Sequence, residues 1–341
     1  MPDTPFSAFP YPVIVGDIGG TNARFAVVDG PGAGLRMLAR VRTSDFPGVA
    51  EAILSVVAGE AIKPRTAVLC GAGPVDGRRL SLTNAPWLMD GPELVARGVV
   101  EQGLLLNDFE AQALALPAIP DDFLQQIGPA PTPGPGPLVV LGPGTGLGIA
   151  ALLVIDGQYV PVPSEACHIG FGPDSADEEA FWPHLERVKG RVTSESVISG
   201  PGLVRVHRAR VAAAGSAAPD LSGAEIVERA AADPTSDEAE TCRCFLRLVA
   251  RFAGDVAITF LATGGVTLAG GILPRLAGMI DPVVFRRIFE DKAPVEWLPR
   301  SIGTRLVVND TAVLHGMAAL AGDPATYRLD YERRLWAPAA G

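Results

Sequence analysis

The most informative stretch of the chain is residues 13–29, which read Val-Ile-Val-Gly-Asp-Ile-Gly-Gly-Thr-Asn-Ala-Arg-Phe-Ala-Val-Val-Asp. Apolar, β-branched runs flank a short glycine-rich segment, so the pattern predicts two strands joined by a tight turn. Glycines allow backbone N–H groups to approach an anion, and an ordinary glycine-rich hairpin would have the same pattern. Asp17, at the end of the first strand, is placed to hold Mg²⁺ through water. The candidate phosphate ligands are Gly16, Asp17, Ile18, Gly19, Gly20, Thr21 and Asn22.

A second strand-turn-strand unit follows at residues 138–155, with Gly144, Thr145 and Gly146 in its turn. Its glycine spacing does not match Gly-x-Gly-x-x-Gly, which disfavours a dinucleotide-binding fold, and the sequence contains no Gly-Lys pair, which excludes a P-loop. Two Gly-Thr hairpins, each opening a domain, indicate two halves that close on one polyphosphate. A third site, Gly270 and Gly271, follows a predicted strand and would let a flat base lie against bare backbone.

The composition indicates a globular protein with two domains. The chain has 341 residues, of which 48% are hydrophobic and 19% charged, enough to bury a sizeable core. A net charge of −10 with only three lysines argues against nucleic-acid binding. Uncharged stretches at 138–155 and 256–274 contain glycine and proline, which fit strand-turn units better than membrane spans. The first dozen residues lack the features of a signal or transit peptide, so the cytoplasm is expected.

Residues 103–116 place a carboxylate after a buried strand. Leu104–Leu106 is the predicted strand, Asn107 and Asp108 stand at its carboxyl end, and a helix follows. Ligands of α/β sheets lie beyond the carboxyl ends of strands, so Asp108 could accept a proton from a substrate hydroxyl while Asn107 orients that substrate. Asp108 could equally cap the following helix. The sequence leaves both interpretations open.

Four further polar residues are candidate ligands. Asn84 precedes Trp87, and this pair suits either a sugar site or a capped strand end beside a core tryptophan. Glu165 and His168 stand three residues apart in a loop, and without a third ligand evident nearby we expect hydrogen bonding to a polar ligand rather than metal binding. Glu195 either faces a ligand cleft or precedes a helix. The four cysteines are interpreted as structural thiols.

These segments together resemble the bacterial ATP-dependent glucokinases of the hexokinase, Hsp70 and actin superfamily, from about residue 12 to about residue 320. Residues 16–24 are similar to the family's first phosphate motif, 141–148 to its second and 264–271 to its adenosine motif. The sugar residues match one by one: Asn107 and Asp108 the Asn-Asp pair, Glu165 and His168 the Glu-x-x-His, and Glu195 the acidic residue before Ser-Gly-Pro-Gly. Ala166-Cys167 stands where relatives often have glycines, and the cysteine-rich zinc motif of the repressor/open-reading-frame/kinase branch is missing.

The resemblance implies an α/β fold with two ribonuclease H-like (actin-like ATPase) domains around a central cleft. Residues 12–118 plus 310–330 would form the small domain and residues 119–309 the large one, with Asp310 and Thr311 capping the last long helix. The implied activity is ATP-dependent phosphorylation of D-glucose at the 6-hydroxyl, the first step of glycolysis, with Mg²⁺ as cofactor. The implied enzyme is a cytoplasmic homodimer without nucleic-acid or membrane partners. Asp108 would be the catalytic base, and the glucose ligands would be Asn84, Asn107, Asp108, Glu165, His168 and Glu195.

Alternative functions remain open at this point. The enzyme could phosphorylate another hexose, such as mannose, fructose or an N-acetylhexosamine. A sugar sensor that regulates transcription would need a DNA-binding module, for which the residues before the first strand leave little room. A chaperone-like ATPase would need a peptide-binding domain.

Overall fold

The computed structural model describes residues 8–83 and 85–337. Contacts within the chain divide these residues into two compact units. The first unit holds the residues up to Asp121, Leu152–Val162 and the residues from Asp310 onward, and the second holds Asp122–Ala151 and Pro163–Asn309. No helix in these described ranges is both long enough and apolar enough to cross a bilayer.

Strands and helices both occur in each unit, as expected of an α/β protein. The strands are β1 (Val13–Ile18), β2 (Asn22–Val28), β3 (Leu35–Arg42), β4 (Thr66–Gly71), β5 (Val75–Asp76), β6 (Arg79–Ser81), β7 (Leu88–Asp90), β8 (Gln102–Asn107), β9 (Leu124–Ile127), β10 (Leu138–Pro143), β11 (Leu147–Ile155), β12 (Gln158–Ser164), β13 (Gly265–Leu268) and β14 (Thr304–Val307). The helices are α1 (Val49–Ala58), α2 (Gly91–Ala96), α3 (Asp108–Ala115), α4 (Ala176–Phe181), α5 (Ser194–Val197), α6 (Gly200–Ala213), α7 (Gly223–Ala232), α8 (Asp237–Phe260), α9 (Leu273–Leu276), α10 (Pro282–Glu290), α11 (Trp297–Arg300), α12 (Ala312–Gly322) and α13 (Tyr331–Arg334).

The first unit is built on a five-stranded sheet in the order β3-β2-β1-β4-β8. β1 and β2 form the predicted antiparallel hairpin, whose turn is closed by a hydrogen bond from the Gly19 N–H to the Asn22 carbonyl at 2.9 Å. β4 is parallel to β1, and β8 is parallel to β4. The carboxyl ends of three parallel strands therefore meet at one edge of the sheet, which brings Asp17, Cys70 and Asn107 to that edge.

The core of this unit accounts for two of its glycines. Trp336, near the end of the described chain, is fully buried and exchanges backbone hydrogen bonds with Gly103. A Cβ on Gly103 or on Gly91 would overlap its indole ring. The same sheet buries Ile14 and Phe25 against α1. Packing at this density leaves no room for an added methyl group without a shift of the backbone.

The second sheet has six strands in the order β12-β11-β10-β13-β14-β9, and residues 152–162 of its β11–β12 hairpin group with the first unit. β10, β13 and β14 are parallel. Residues 138–155 and 256–274 form strands, turns and helix ends, as the sequence predicts. The ends of β10 and β13 touch, because a Cβ on Gly142 would overlap the backbone of Ala269. Two turns, 143–146 and 269–271, therefore lie side by side at one end of this sheet.

Candidate active site

Asp108 follows β8 directly and is the first residue of α3. The residue that caps this helix is Asn107, whose Oδ1 accepts hydrogen bonds from the backbone N–H groups of Phe109 at 3.0 Å and Glu110 at 3.3 Å. The Glu110 carboxylate in turn accepts from the Asn107 N–H at 3.4 Å, which completes a capping box. Asp108 Oδ1 shares the Phe109 N–H at 3.0 Å. Because Asn107 provides the cap, the Asp108 carboxyl group is not needed for that purpose.

The surroundings of Asp108 disfavour its charged form. The pKa of Asp108 is raised to about 6, mainly by burial; the hydrogen bond from the Phe109 N–H lowers it, and the nearby Asp17 carboxylate raises it by a smaller amount. A carboxyl group with this pKa is largely ionised at pH 7 and still binds a proton far better than an exposed aspartate does. This is the acid–base behaviour that a group needs to accept a proton from a hydroxyl near neutral pH.

Asp17 lies on β1, which β4 separates from β8, and is held by two partners. Arg24 donates to Asp17 Oδ2 at 2.9 Å, and the Cys70 thiol donates to Asp17 Oδ1 at 3.7 Å. Burial raises the pKa of Asp17, while Arg24 lowers it. The second guanidinium nitrogen of Arg24 lies 2.9 Å from Asp310, which also pairs with Arg40 at 3.4 Å. Thr311 is the N-cap residue of α12, in keeping with the predicted start of that helix, whereas the capping role predicted for Asp310 is wrong because its carboxylate faces these arginines.

Cys70 belongs to this group of residues although the sequence analysis treated it as a structural thiol. Its pKa is raised well above the usual value by burial and by the Asp17 and Asp108 carboxylates, so the thiol stays neutral. It supports Asp17 as a hydrogen-bond donor. Only the register of β4 against β1 reveals this neighbourhood, because Cys70 is 53 residues from Asp17 in the sequence.

The remaining sugar candidates of the first unit have mixed outcomes. Asn107 donates its Nδ2 to the Gly73 carbonyl at 3.1 Å, so it fixes the backbone as well as capping α3. Trp87 is 3% exposed and donates its indole N–H to the Phe46 carbonyl at 3.0 Å, which makes it the core tryptophan of the two interpretations. Asn84 lies outside the described residues. Its predicted sugar contact stays a prediction.

The second unit brings together three candidates that are up to 30 residues apart in the chain. Glu165 and His168 flank a short 3₁₀ turn after β12, and Glu195 is on α5. His168 Nε2 lies 3.5 Å from Glu165 Oε2, and His168 Nδ1 lies 3.9 Å from Glu195 Oε1. The Ser194 N–H donates to the Ile169 carbonyl at 3.2 Å, which ties the loop to α5. The exposed fractions of the side chains, 87% for Glu165 and 54% for His168, leave both accessible to a ligand.

Glu195 also connects these residues with the second glycine-rich turn. Its Oε2 accepts a hydrogen bond from the Leu147 N–H at 3.0 Å, and a Cβ on Gly146 would lie 2.5 Å from the same oxygen. The Gly200 N–H, at the start of α6, donates to the Gly144 carbonyl at 2.8 Å. A single network therefore holds the turn, the acidic side chain and a helix start.

Each of the two glycine turns leaves part of its backbone uncovered. A Cβ on Gly144 or Gly271 would meet no heavy atom of the described residues within 4 Å, so a ligand can lie against the backbone at both positions. Gly270 is different, since its φ is +88° and a Cβ there would lie 2.5 Å from the Pro143 carbonyl oxygen. The conformation of the chain alone explains that glycine.

Comparison with known proteins gives the family. The model of the family described as Glucokinase matches residues 14–324. The chain belongs to the glucokinase family. A glucokinase of Sinorhizobium medicae is 40% identical over 337 residues, covering 98% of this chain and 99% of that relative. Family membership confirms the resemblance inferred from the two Gly-Thr motifs and the Asn-Asp pair.

Solved structures agree with this assignment. The glucokinase of an Antarctic psychrotroph has a TM-score of 0.79 at 28% identity, over 91% of this chain and 98% of that one. A ROK family glucokinase of Streptomyces griseus, solved in complex with glucose and AMPPNP, has a TM-score of 0.63 at 23% identity, over 91% of this chain and 99% of that one. The second likeness shows the fold alone. The predicted α/β fold of the actin-like ATPase type is confirmed.

Proposed function

We propose that this protein phosphorylates D-glucose at the 6-hydroxyl with ATP and releases glucose 6-phosphate and ADP. Full-length relatives with about 40% identity are glucokinases, which supports this activity. The observation that carries the proposal is the state of Asp108, a half-buried carboxyl group that Asn107 releases from helix capping and that has a pKa of about 6.

In the proposed reaction, O6 of glucose attacks the γ-phosphorus of ATP. The bond between O6 and phosphorus forms, the bond to the β–γ bridging oxygen breaks, and ADP leaves. Asp108 orients the hydroxyl and accepts its proton. Proton transfer is late in the loose transition state of phosphoryl transfer, so Asp108 does not need to be a strong base.

Ring recognition falls to Glu165, His168 and Glu195, with Asn107 and Asn84 as further candidates. Two carboxylates and an imidazole that face one another can accept from and donate to vicinal hydroxyls. A site built from such groups rejects an analogue that lacks a hydroxyl, because a polar group that the bound sugar shields from water would then lose its partner.

ATP is proposed to bind at the hairpin turn of residues 16–22 and at the turns that carry Gly144–Gly146 and Gly270–Gly271. The open space at Gly144 and Gly271 fits phosphate and base contacts to bare backbone. Mg²⁺ is proposed to bind beside Asp17 through water. Asp17 is close enough to Asp108 to raise its pKa, so two carboxylates, which are ligands that Mg²⁺ prefers, lie near each other here. When bound, the ion would neutralise charge on the phosphates.

Cellular context is also proposed. The chain is expected to act in the cytoplasm as a homodimer that catalyses the first step of glycolysis, without nucleic-acid or membrane partners. The net charge of −10 supports the absence of nucleic-acid binding. Light scattering of the purified protein tests the dimer, since a monomer mass would contradict it.

The activity is tested by ADP release from Mg-ATP with and without D-glucose. Glucose is expected to raise ADP release well above the background, and Asp108→Asn to remove this increase. Mannose, fructose and N-acetylglucosamine are compared in the same assay. Turnover with one of these sugars and none with glucose would overturn the substrate assignment, and an unaffected Asp108→Asn enzyme would overturn the base.

A further inference from the structure

A cluster of three different metal-ligating side chains lies in the turn after β12. Glu165, Cys167 and His168 each offer one ligand atom, and these three atoms lie within 4.8 Å of one another. Glu165 Oε2 is 3.5 Å from His168 Nε2 and 3.8 Å from Cys167 Sγ. In the sequence, no third ligand is evident beside the Glu-His pair, and the cysteine between them is interpreted as a structural thiol. The 3₁₀ turn brings its sulfur to the same side.

The two separations from Glu165 are close to those of a tetrahedral zinc site. Zinc binds sulfur at about 2.3 Å and nitrogen or carboxylate oxygen at about 2.0–2.2 Å, so neighbouring ligand atoms in a tetrahedron are about 3.3–3.6 Å apart. The separation of Glu165 Oε2 from His168 Nε2 lies within this range, and its separation from Cys167 Sγ exceeds the range by about 0.2 Å. A small rotation of the exposed Glu165 side chain would close that difference.

The second nitrogen of the imidazole also has the partner that metal-bound histidines usually have. With Nε2 directed at Glu165, Nδ1 lies 3.9 Å from Glu195 Oε1. A carboxylate on the far side of a ligating histidine fixes the tautomer and the direction of the ring. Glu165, Cys167 and His168 could therefore be the metal ligands, and Glu195, from a second segment of the chain, could orient the histidine.

Accessibility and ligand chemistry select the kind of ion. Glu165 and His168 are exposed, so an ion can enter from solvent. Cys167 is 4% exposed, so its sulfur would bind the ion from the protein interior. A thiolate and an imidazole favour zinc and similar soft divalent ions over Mg²⁺, which prefers oxygen. Water would complete the fourth position.

We propose that Glu165, Cys167 and His168 bind one Zn²⁺ ion and that the bound ion inhibits the enzyme. Binding forms a bond from the metal to sulfur, and the thiol proton passes to solvent. The inhibition rests on the proposed function, because the ion occupies the carboxylate and the imidazole that glucose would use. Zinc is therefore expected to compete with glucose and not with ATP.

The binding itself is tested with Co²⁺, which reports its ligands by absorption. The full-length protein, prepared without metal, is titrated with Co²⁺ and followed in the near-ultraviolet and visible range. One equivalent is expected to give a thiolate-to-cobalt charge-transfer band together with the visible bands of tetrahedral cobalt. Cys167→Ala and Cys167→Ser should lose the charge-transfer band, and Glu165→Gln should weaken the binding about 10-fold or more.

The matched control is Cys242→Ala, which removes another buried thiol on α8, away from the cluster. It should keep the full cobalt spectrum. Far-ultraviolet circular dichroism establishes that each variant is folded, and the serine variant preserves the size of the side chain if alanine unfolds the turn. A missing band in the wild-type protein, or a band that persists in both Cys167 variants, would overturn the site.

The inhibition is tested by adding Zn²⁺ to the glucose-dependent ADP assay with Mg-ATP in excess. The inhibition constant is expected to rise with glucose concentration, to be insensitive to ATP and to be about 10-fold or more weaker in Cys167→Ala. Cobalt binding without any kinase activity would leave the metal site and remove the proposed function. Inhibition that glucose does not relieve would overturn the shared use of Glu165 and His168.

Discussion

Replacing Asp108 by asparagine is expected to remove turnover and, at the same time, to stabilise the folded protein at neutral pH. Asparagine has nearly the same shape, and it can still accept the Phe109 N–H that Asp108 Oδ1 accepts at 3.0 Å. The helix cap from Asn107 is unchanged. Loss of a general base typically lowers the rate about 10²–10⁴-fold, so kcat should fall by this factor while KM for glucose changes much less.

The stability gain follows from the cost of ionising a half-buried carboxyl group. Burial raises the pKa of Asp108 from 3.8 to about 6, which corresponds to about 3 kcal/mol. The folded protein holds this proton more tightly than the unfolded chain does, so the group destabilises the fold wherever it must ionise. The penalty is absent below about pH 4, grows up to about pH 6 and is complete above it. Asparagine cannot ionise and avoids the penalty at every pH.

This difference is large enough to measure by calorimetry. With an unfolding entropy of about 2.1 cal/mol/K per residue over the chain, about 3 kcal/mol raises Tm by roughly 4 °C. Asp108→Asn should therefore exceed the wild-type Tm by about this amount at pH 8 and match it at pH 4. Asp76→Asn, which changes an exposed aspartate on β5 of the same unit, should match the wild type at both pH values.

Two results would refute this reasoning. An unchanged Tm of Asp108→Asn at pH 8 would mean that ionising the carboxyl group does not destabilise the fold, so the environment of Asp108 would not raise its pKa. Retained turnover would remove Asp108 from the role of base, whatever the Tm. If the reasoning holds, kcat/KM of the wild-type enzyme should also fall below about pH 6, where Asp108 becomes protonated.

Three other changes test the remaining parts of the site. Arg24→Met should lower the free energy of unfolding, measured in urea, by about 3 kcal/mol, because the half-buried carboxylate of Asp17 loses its cation. Asp310→Asn should lower it by less than about 1 kcal/mol, because that carboxylate is 58% exposed. Equal effects of the two variants would contradict this ranking. Gly146→Ala should displace Glu195 and raise KM for glucose about 10-fold or more, since a charged hydrogen bond is lost, and an unchanged KM would show that Glu195 does not contact the sugar. Gly144→Ala should leave Tm unchanged, because its Cβ would enter open space, yet raise KM for ATP; an unchanged KM would place the phosphates elsewhere.

Several elements could be predicted because their signals are local. The hairpin at residues 13–29 has its two apolar runs and its turn within one stretch, and the structure confirms it. The strand that ends at Asn107 and the strand-turn-strand unit at 138–155 are likewise indicated by short contiguous stretches of sequence, and both are confirmed. The family could also be recognised, since its motifs are contiguous residues.

Other features depend on residues that meet only in the folded chain. The sequence leaves open whether Asp108 caps α3 or faces a ligand, and the backbone conformation at the end of β8 makes Asn107 the capping residue instead. Asp310 was expected to cap a helix, but the attraction of Arg24 and Arg40, which are about 270 residues away in the chain, turns it elsewhere.

The amino-acid sequence thus carries the strands, the turns and the identity of the candidate ligands, since hydrophobic periodicity and glycine placement act over a few residues. The pKa of Asp108, the thiol of Cys70 beside Asp17 and the approach of Glu195 to His168 come from tertiary structure. Burial and electrostatic interaction depend on distances in space, and parallel strand register sets those distances between residues that the chain keeps far apart.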